Sequence, residues 1–284
     1  MSAPGSVRRD RSARGRRAGR SRPTARARNL EPLAKAGFIA RGLIYFLIGL
    51  LALAIAVGRP EPQADRTGAL QAVAAHPFGT LILWLLAFGF AAMALWRFAQ
   101  AYYGVHRRGA RGGEEALAAV RGVLYTVFFI GTLRYVLGSP APNSTNQQTR
   151  DFSATAMAHS YGRALVLLAG IVIGVVGLVM IRIGASRSFL KDLQLSGASR
   201  RTRTAVKWLG TVGNIARGLV FAGIGVFMID AAVTFDAAKA KGIDATLRTF
   251  AHTPAGPLLL VAVAIGLALF GVYSLAESRW HRRI

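Results

Sequence analysis

Long apolar runs alternate with short polar stretches along this chain, and the apolar runs carry no polar face at helical spacing. Residues 81–96 read LILWLLAFGFAAMALW, about four helical turns without one charged or amide side chain. Comparable segments cover 37–57, 79–102, 122–137, 163–181, 218–235 and 257–276. A helix needs about 20 residues to cross the hydrocarbon core, and snorkelling flanks bring the shorter segments to that length. The pattern predicts an all-α membrane protein with six transmembrane helices. A soluble bundle of this size would need polar helix faces that these segments lack.

The first, third and fifth segments open alike. GFIARGLIYFLIG starts at Gly37, ALAAVRGVLYTVFFIG at Ala116 and GNIARGLVFAGIG at Gly213. Arg-Gly recurs as Arg41-Gly42, Arg121-Gly122 and Arg217-Gly218, with Tyr45, Tyr125 and Phe221 four residues after each arginine. The even segments open with HPFG (76–79), HSYG (159–162) and TPAG (253–256). The unit is therefore a two-helix hairpin used three times. An even number of spans per unit gives every copy the same orientation, so the expected fold is three parallel hairpins about a pseudo-threefold axis. The division is a tail at 1–32 and repeats at 33–110, 111–195 and 196–284.

Charge then fixes the expected orientation. Of 36 Lys and Arg residues, 28 fall on the side of the N-terminus, 7 on the other and Arg134 inside a span. The positive-inside rule puts both termini in the cytoplasm. The tail holds ten arginines between Arg8 and Arg28 and few apolar residues, so it is expected to be disordered and to contact anionic phospholipid. Its charged region, about 40 residues before the first apolar run, is too long for an ordinary signal peptide. No aromatic interleaving suggests specific nucleic-acid readout. A net charge of +24 beside a mean hydropathy of +0.39 suits a membrane protein better than a soluble one. Rich Ala, Gly and Arg usage points to a bacterial cytoplasmic membrane.

These features resemble the bacterial membrane proteins grouped as domain-of-unknown-function family 1206. The residues that carry the resemblance are the three Arg-Gly pairs, Pro77-Phe78-Gly79, Trp96-Arg97 and GVYSLAESRWHRR at 271–283. It covers about residues 33 to 283, and the middle repeat departs most, with Ser160 in place of the proline and Arg134 inside its first helix. The resemblance implies an integral membrane protein without an assigned activity, and it supplies no catalytic residues.

Candidate chemistry is sparse. Without cysteine there is no disulfide, thiolate metal site or cysteine nucleophile. Phosphate loops, dinucleotide fingerprints, HExxH and GxSxG are absent. No enzyme, cofactor or metal is expected. Arg41, Arg121 and Arg217 are the candidates for an anionic lipid or solute, because planar guanidinium groups suit phosphate and carboxylate. Thirteen residues beyond Arg121 and Arg217 stand Arg134 and Asp230, candidates for an intramembrane ion pair. His76, His159 and His252 start the even helices and are read as loop-end residues rather than a metal site. The function expected is a non-enzymatic membrane component, serving as scaffold, accessory subunit or lipid-interacting protein. The alternative is a small-solute transporter or channel.

Overall fold

The computed structural model describes residues 25–59, 63–105, 112–253 and 256–281. Among the described residues there are nine α-helices: α1 (Ala25–Ala56), α2 (Arg66–Ala74), α3 (Gly79–Val105), α4 (Gly112–Val136), α5 (Thr145–Met157), α6 (Gly162–Ser186), α7 (Arg200–Thr234), α8 (Ile243–Ala251) and α9 (Gly256–Trp280). Six of them hold stretches long and apolar enough to cross a membrane: Glu31–Ala56, Gly79–Tyr103, Glu115–Val136, Gly162–Ser186, Arg200–Thr234 and Gly256–Trp280. Helix is the form that satisfies every backbone group within a single span.

The helices outrun the apolar segments at the end where the basic residues lie, here named the basic end. Extending a formed helix costs far less than nucleating one, and Ala, Leu, Arg and Glu extend it readily. At α7 the helix reaches back to Ser199, whose side chain accepts a hydrogen bond from Thr202 N at 3.2 Å. At α1 it reaches back to Ala25, so residues 25–32, expected as irregular tail, are helical. The rest of the expected tail, 1–24, lies outside the described residues.

Three short helices, α2, α5 and α8, were not legible from the apolar pattern, being too brief for a period to register. Each joins an odd span to the next even one, at what we call the hairpin end. One turn recurs after each of them. Gly79 N donates to His76 O (2.8 Å), Gly162 N to His159 O (2.9 Å) and Gly256 N to Thr253 O (2.7 Å). A Cβ on any of these glycines would strike the backbone of the preceding short helix, at Val73, Ala156 or Ala251. This close approach explains the HPFG, HSYG and TPAG motifs. His76 and His159 supply the turn carbonyl, whereas Thr253 does so in the third repeat and His252 stands one residue before it.

Contacts between spans follow a consistent rule. The most extensive seams join α3 to α4, α6 to α7 and α1 to α9, each linking the even helix of one repeat to the odd helix of the next. Within repeats, α1 packs on α3 and α7 on α9, whereas α4 and α6 form no seam. The spans thus follow one another in the order α4, α3, α1, α9, α7, α6. Small residues draw the backbones together where lipid supplies no hydrophobic drive for helices to associate. A Cβ on Gly271 would lie 2.6 Å from the Gly42 carbonyl oxygen, and one on Gly218 would lie 2.6 Å from that of Gly177. The main core runs through these seams and includes Ile44, Ile48, Leu86, Phe90, Val220, Ile224, Leu260 and Leu267.

Candidate functional site

Two polar clusters stand out, one at each end of the bundle. At the basic end, Arg41 of α1 is held by α9. Its Nε donates to Ser274 Oγ (2.7 Å), its Nη2 to Glu277 Oε2, and its guanidinium lies over the rings of Phe38 (4.9 Å) and Phe270 (5.3 Å). Arg217 of α7 reaches α1 instead, donating from Nε to Tyr45 Oη at 2.9 Å, and lies 4.7 Å over Phe270. Arg97 of α3 lies over Trp96 (4.4 Å) and donates to Gln100 Oε1 (2.9 Å). Its Nε is buried with no hydrogen-bond partner among the described residues.

Arg121 of α4 differs from these three. It is exposed, and among the described residues it forms no hydrogen bond or ion pair. It lies within electrostatic range of Arg217, Tyr125 and Arg41, with Asp192 as a weaker counter-charge. Its lack of partners has a readable cause. Arg217 uses the hydroxyl of Tyr45, whereas Tyr125 is within electrostatic range of Arg41, Arg97 and Arg121 alike and hydrogen-bonds to none of them among the described residues. The third aromatic of the set is Phe221, which has no hydroxyl. Counted from the glycine that opens each even helix, the partners of Arg41, Ser274 and Glu277, correspond to Arg97 and Gln100 on α3. Arg121 packs beside a helix that offers it a cation and an amide.

His281, just past α9, closes the basic end. Its ring lies 4.9 Å from that of Phe38 and 5.4 Å from that of Trp96, and its Nδ1 is 3.7 Å from Glu277 Oε1. Burial pushes the imidazole below its ordinary value of 6.5, and the Glu277 carboxylate only partly offsets this.

At the hairpin end, three polar side chains link the repeats head to tail. Asp65 caps α2 by accepting from Gly68 N (3.0 Å) and also accepts from Thr145 N (2.7 Å). Asn146 Oδ1 accepts from Gly242 N (3.0 Å) and Ala245 N (3.1 Å), and its Nδ2 donates to Asp244 Oδ2 (3.2 Å). Asp244 Oδ1 accepts from Ala64 N (2.9 Å), and its carboxylate pairs with Arg248 at 3.1 Å. The bonds therefore run from the first repeat to the second, from the second to the third, and from the third back to the first. Next to this ring, Arg66 lies 4.4 Å over Phe128 of α4, with Nη1 buried and no hydrogen-bond partner among the described residues. Burial lowers it to about 10, against the opposing pull of Asp65.

The structure brings Arg41, Arg121 and Arg217 to one end, each with different neighbours. Arg134 and Asp230 are not brought together: Asp230 Oδ2 lies 3.8 Å from Lys239 Nζ, and no ion pair joins it to Arg134 among the described residues. Their helices are the reason, since α4 packs on α3 while α7 packs on α6 and α9. Both side chains are exposed. Of the loop-end histidines, His159 Nδ1 lies 3.0 Å from Thr155 O. No group of three His, Cys, Asp or Glu residues is placed to hold a metal among the described residues. Glu277, Ser274, Asp65, Asn146 and Asp244 escaped the sequence reading. A usable signal was the polar residue at or near the start of each hairpin-end helix, and the single acidic residue in the last span.

Comparison with known proteins bears on the threefold unit. Domain of Unknown Function (DUF1206) matches three times, at residues 36–104, 116–187 and 212–281. The chain belongs to the DUF1206 family. Each DUF1206 copy covers one odd span, one hairpin-end helix and one even span. The uncharacterized protein YxxB of Bacillus subtilis (strain 168) is 32% identical over 256 residues, covering 88% of this chain and 90% of the relative. No solved structure matches this DUF1206 chain.

Proposed function

We propose that this protein is a non-enzymatic multi-pass component of the bacterial cytoplasmic membrane that binds the phosphate headgroup of an anionic lipid at its basic end. One observation carries the reading: Arg121, exposed and without hydrogen bond or ion pair among the described residues, stands within electrostatic range of Arg41, Arg97 and Arg217, where the nearby carboxylates are Glu277, already paired with Arg41, and Asp192. The excess positive charge calls for an anion, and guanidinium suits phosphate.

The three repeats are arranged as parallel hairpins about a pseudo-threefold axis. Support comes from corresponding contacts: Gly42, Gly122 and Gly218 face Leu275, Phe98 and Ile181, which hold equivalent places on α9, α3 and α6. The head-to-tail ring of Asp65, Asn146 and Asp244 supports the same arrangement. The basic end is cytoplasmic, as 28 of the 36 Lys and Arg residues favour, and the arginine-rich tail adds attraction to anionic headgroups.

Electron spin resonance of chain-labelled lipids around the full-length protein in phosphatidylcholine vesicles tests the headgroup site. Labelled phosphatidylglycerol is expected to associate in preference to labelled phosphatidylcholine, and Arg121→Ala should reduce that preference by about tenfold, the scale of one charge-assisted contact. An unchanged preference overturns the site. The second reading, passage of a small anion, rests on Arg66, whose guanidinium lies over Phe128 with Nη1 buried and without a hydrogen-bond partner among the described residues. Chloride or phosphate flux into sealed vesicles that is lost in Arg66→Ala would favour it.

A further inference from the structure

The bundle is open on one side, and the sequence carries the reason. In the first repeat, Gly37 meets Met93 and Gly89 meets Ala40, so α1 and α3 touch closely. In the third, Gly213 meets Phe270 and Gly266 meets Ala216, and α7 and α9 touch in the same way. The corresponding positions of the middle repeat, counted from the arginine of each odd helix and the opening glycine of each even one, are Leu117, Val120 and Val172. Two glycines and an alanine have become branched side chains, and all three are exposed, at 46%, 56% and 53%.

In keeping with this, α4 and α6 form no seam. Only 17% of the apolar window of each is buried, against 44–50% for the other four spans. Yet both helices turn an inner face to the shared core, through Tyr125, Phe128 and Phe129 on α4 and Leu167, Ala169 and Ile173 on α6. At the hairpin end the interval is bridged, because α5 connects α4 to α6 and is bonded to α2 and α8. The interval therefore opens sideways into the bilayer, with apolar walls and, one turn from Leu117, the guanidinium of Arg121, which has no hydrogen bond or ion pair among the described residues.

We propose that this lateral opening between α4 and α6 is the seat of one anionic diacyl phospholipid, its phosphate and glycerol at the level of Arg121, Leu117 and Val120 and its acyl chains running past Val172 toward the hairpin end. The proposal rests on the headgroup reading above and adds where the chains lie. A lipid is the occupant that matches both features at once, since an apolar wall under a cation at the membrane surface is complementary to an acidic amphiphile and to neither a soluble anion nor a neutral lipid.

The cysteine-free chain makes the test clean. A bimane fluorophore is attached at Val172→Cys or, as a lipid-facing control on α3, Leu85→Cys, with each variant reconstituted full length in phosphatidylcholine vesicles. Phosphatidylglycerol brominated on its acyl chains is then compared with brominated phosphatidylcholine. Stronger quenching by the acidic lipid at 172, equal quenching at 85, and loss of the difference on adding Arg121→Ala is the expected result. Equal quenching by both lipids at 172 overturns the opening as a lipid seat. If the spin-label preference still falls in Arg121→Ala, the headgroup site survives that loss; if it does not fall, both ideas fail. A difference at 172 that persists in Arg121→Ala overturns the role given to Arg121. As a second measurement, the combined change Leu117→Gly, Val120→Ala and Val172→Gly gives the middle repeat the small residues of the others. It should lower phosphatidylglycerol binding with Arg121 intact, and undiminished binding overturns the seat.

Discussion

Arg41 and Arg121 hold corresponding positions in their repeats and face opposite conditions. Arg41 is largely buried and satisfied by Glu277 and Ser274, so Glu277→Ala should leave an uncompensated guanidinium and destabilise the protein by about 3 kcal/mol. Arg121→Ala breaks no bond among the described residues and should leave stability unchanged. Thermal melts in detergent separate the two, and equal melts for both variants would refute the assignment. His281 adds a pH dependence. Its folded value is depressed by burial against Phe38 and Trp96, so below about 6.5 the unfolded chain takes up a proton that the folded one resists. Stability is fully present above that value and falls as pH drops through it toward the folded value. A melt that declines on acidification in the wild type and declines less in His281→Gln is expected; parallel curves would remove His281 from the account. The repeated arginines were legible in the sequence, because a motif that recurs three times is visible without a structure. Their partners were not, since Glu277 lies 236 positions from Arg41 and nothing local marks the pairing.

Helices in this protein meet through glycine. A Cβ on Gly271 would come within 2.5 Å of Phe46 N and 2.6 Å of Gly42 O, both backbone atoms that cannot turn aside. Gly271→Leu must therefore push α1 and α9 apart and should cost about 1–3 kcal/mol, seen as lost monodisperse protein on size-exclusion chromatography. Gly113→Ala, where nothing lies within 4 Å, should behave as wild type. A tolerated Gly271→Leu would show that the seam does not depend on close approach. The six spans were readable from apolar runs, because each span satisfies its own backbone and inserts on composition. The three short helices were not, because segments such as Arg66–Ala74 and Ile243–Ala251 are held by bonds to other repeats rather than by a pattern of their own.

At the scale of the whole molecule, the ring through Asp65, Asn146 and Asp244 closes the three repeats on one another. Asn146→Leu removes two accepted bonds and one donated bond and should cost about 2–4 kcal/mol. Because the ring is closed, Asp65→Ala and Asp244→Ala together should destabilise less than the two separately. Strict additivity in paired melts would mean that the two ends act independently. By itself the sequence determined the membrane character, the six spans, the threefold unit and the heavy bias of positive charge to one end. These are local or summed properties, set by how each segment partitions between water and lipid. Tertiary structure alone decided that Asp230 meets Lys239 rather than Arg134, that Glu277 serves Arg41, and that the middle repeat stands open between α4 and α6. Such outcomes depend on which helix faces lie side by side, and those are chosen by close packing between segments far apart in the chain, where one methyl group in place of a glycine hydrogen shifts the answer.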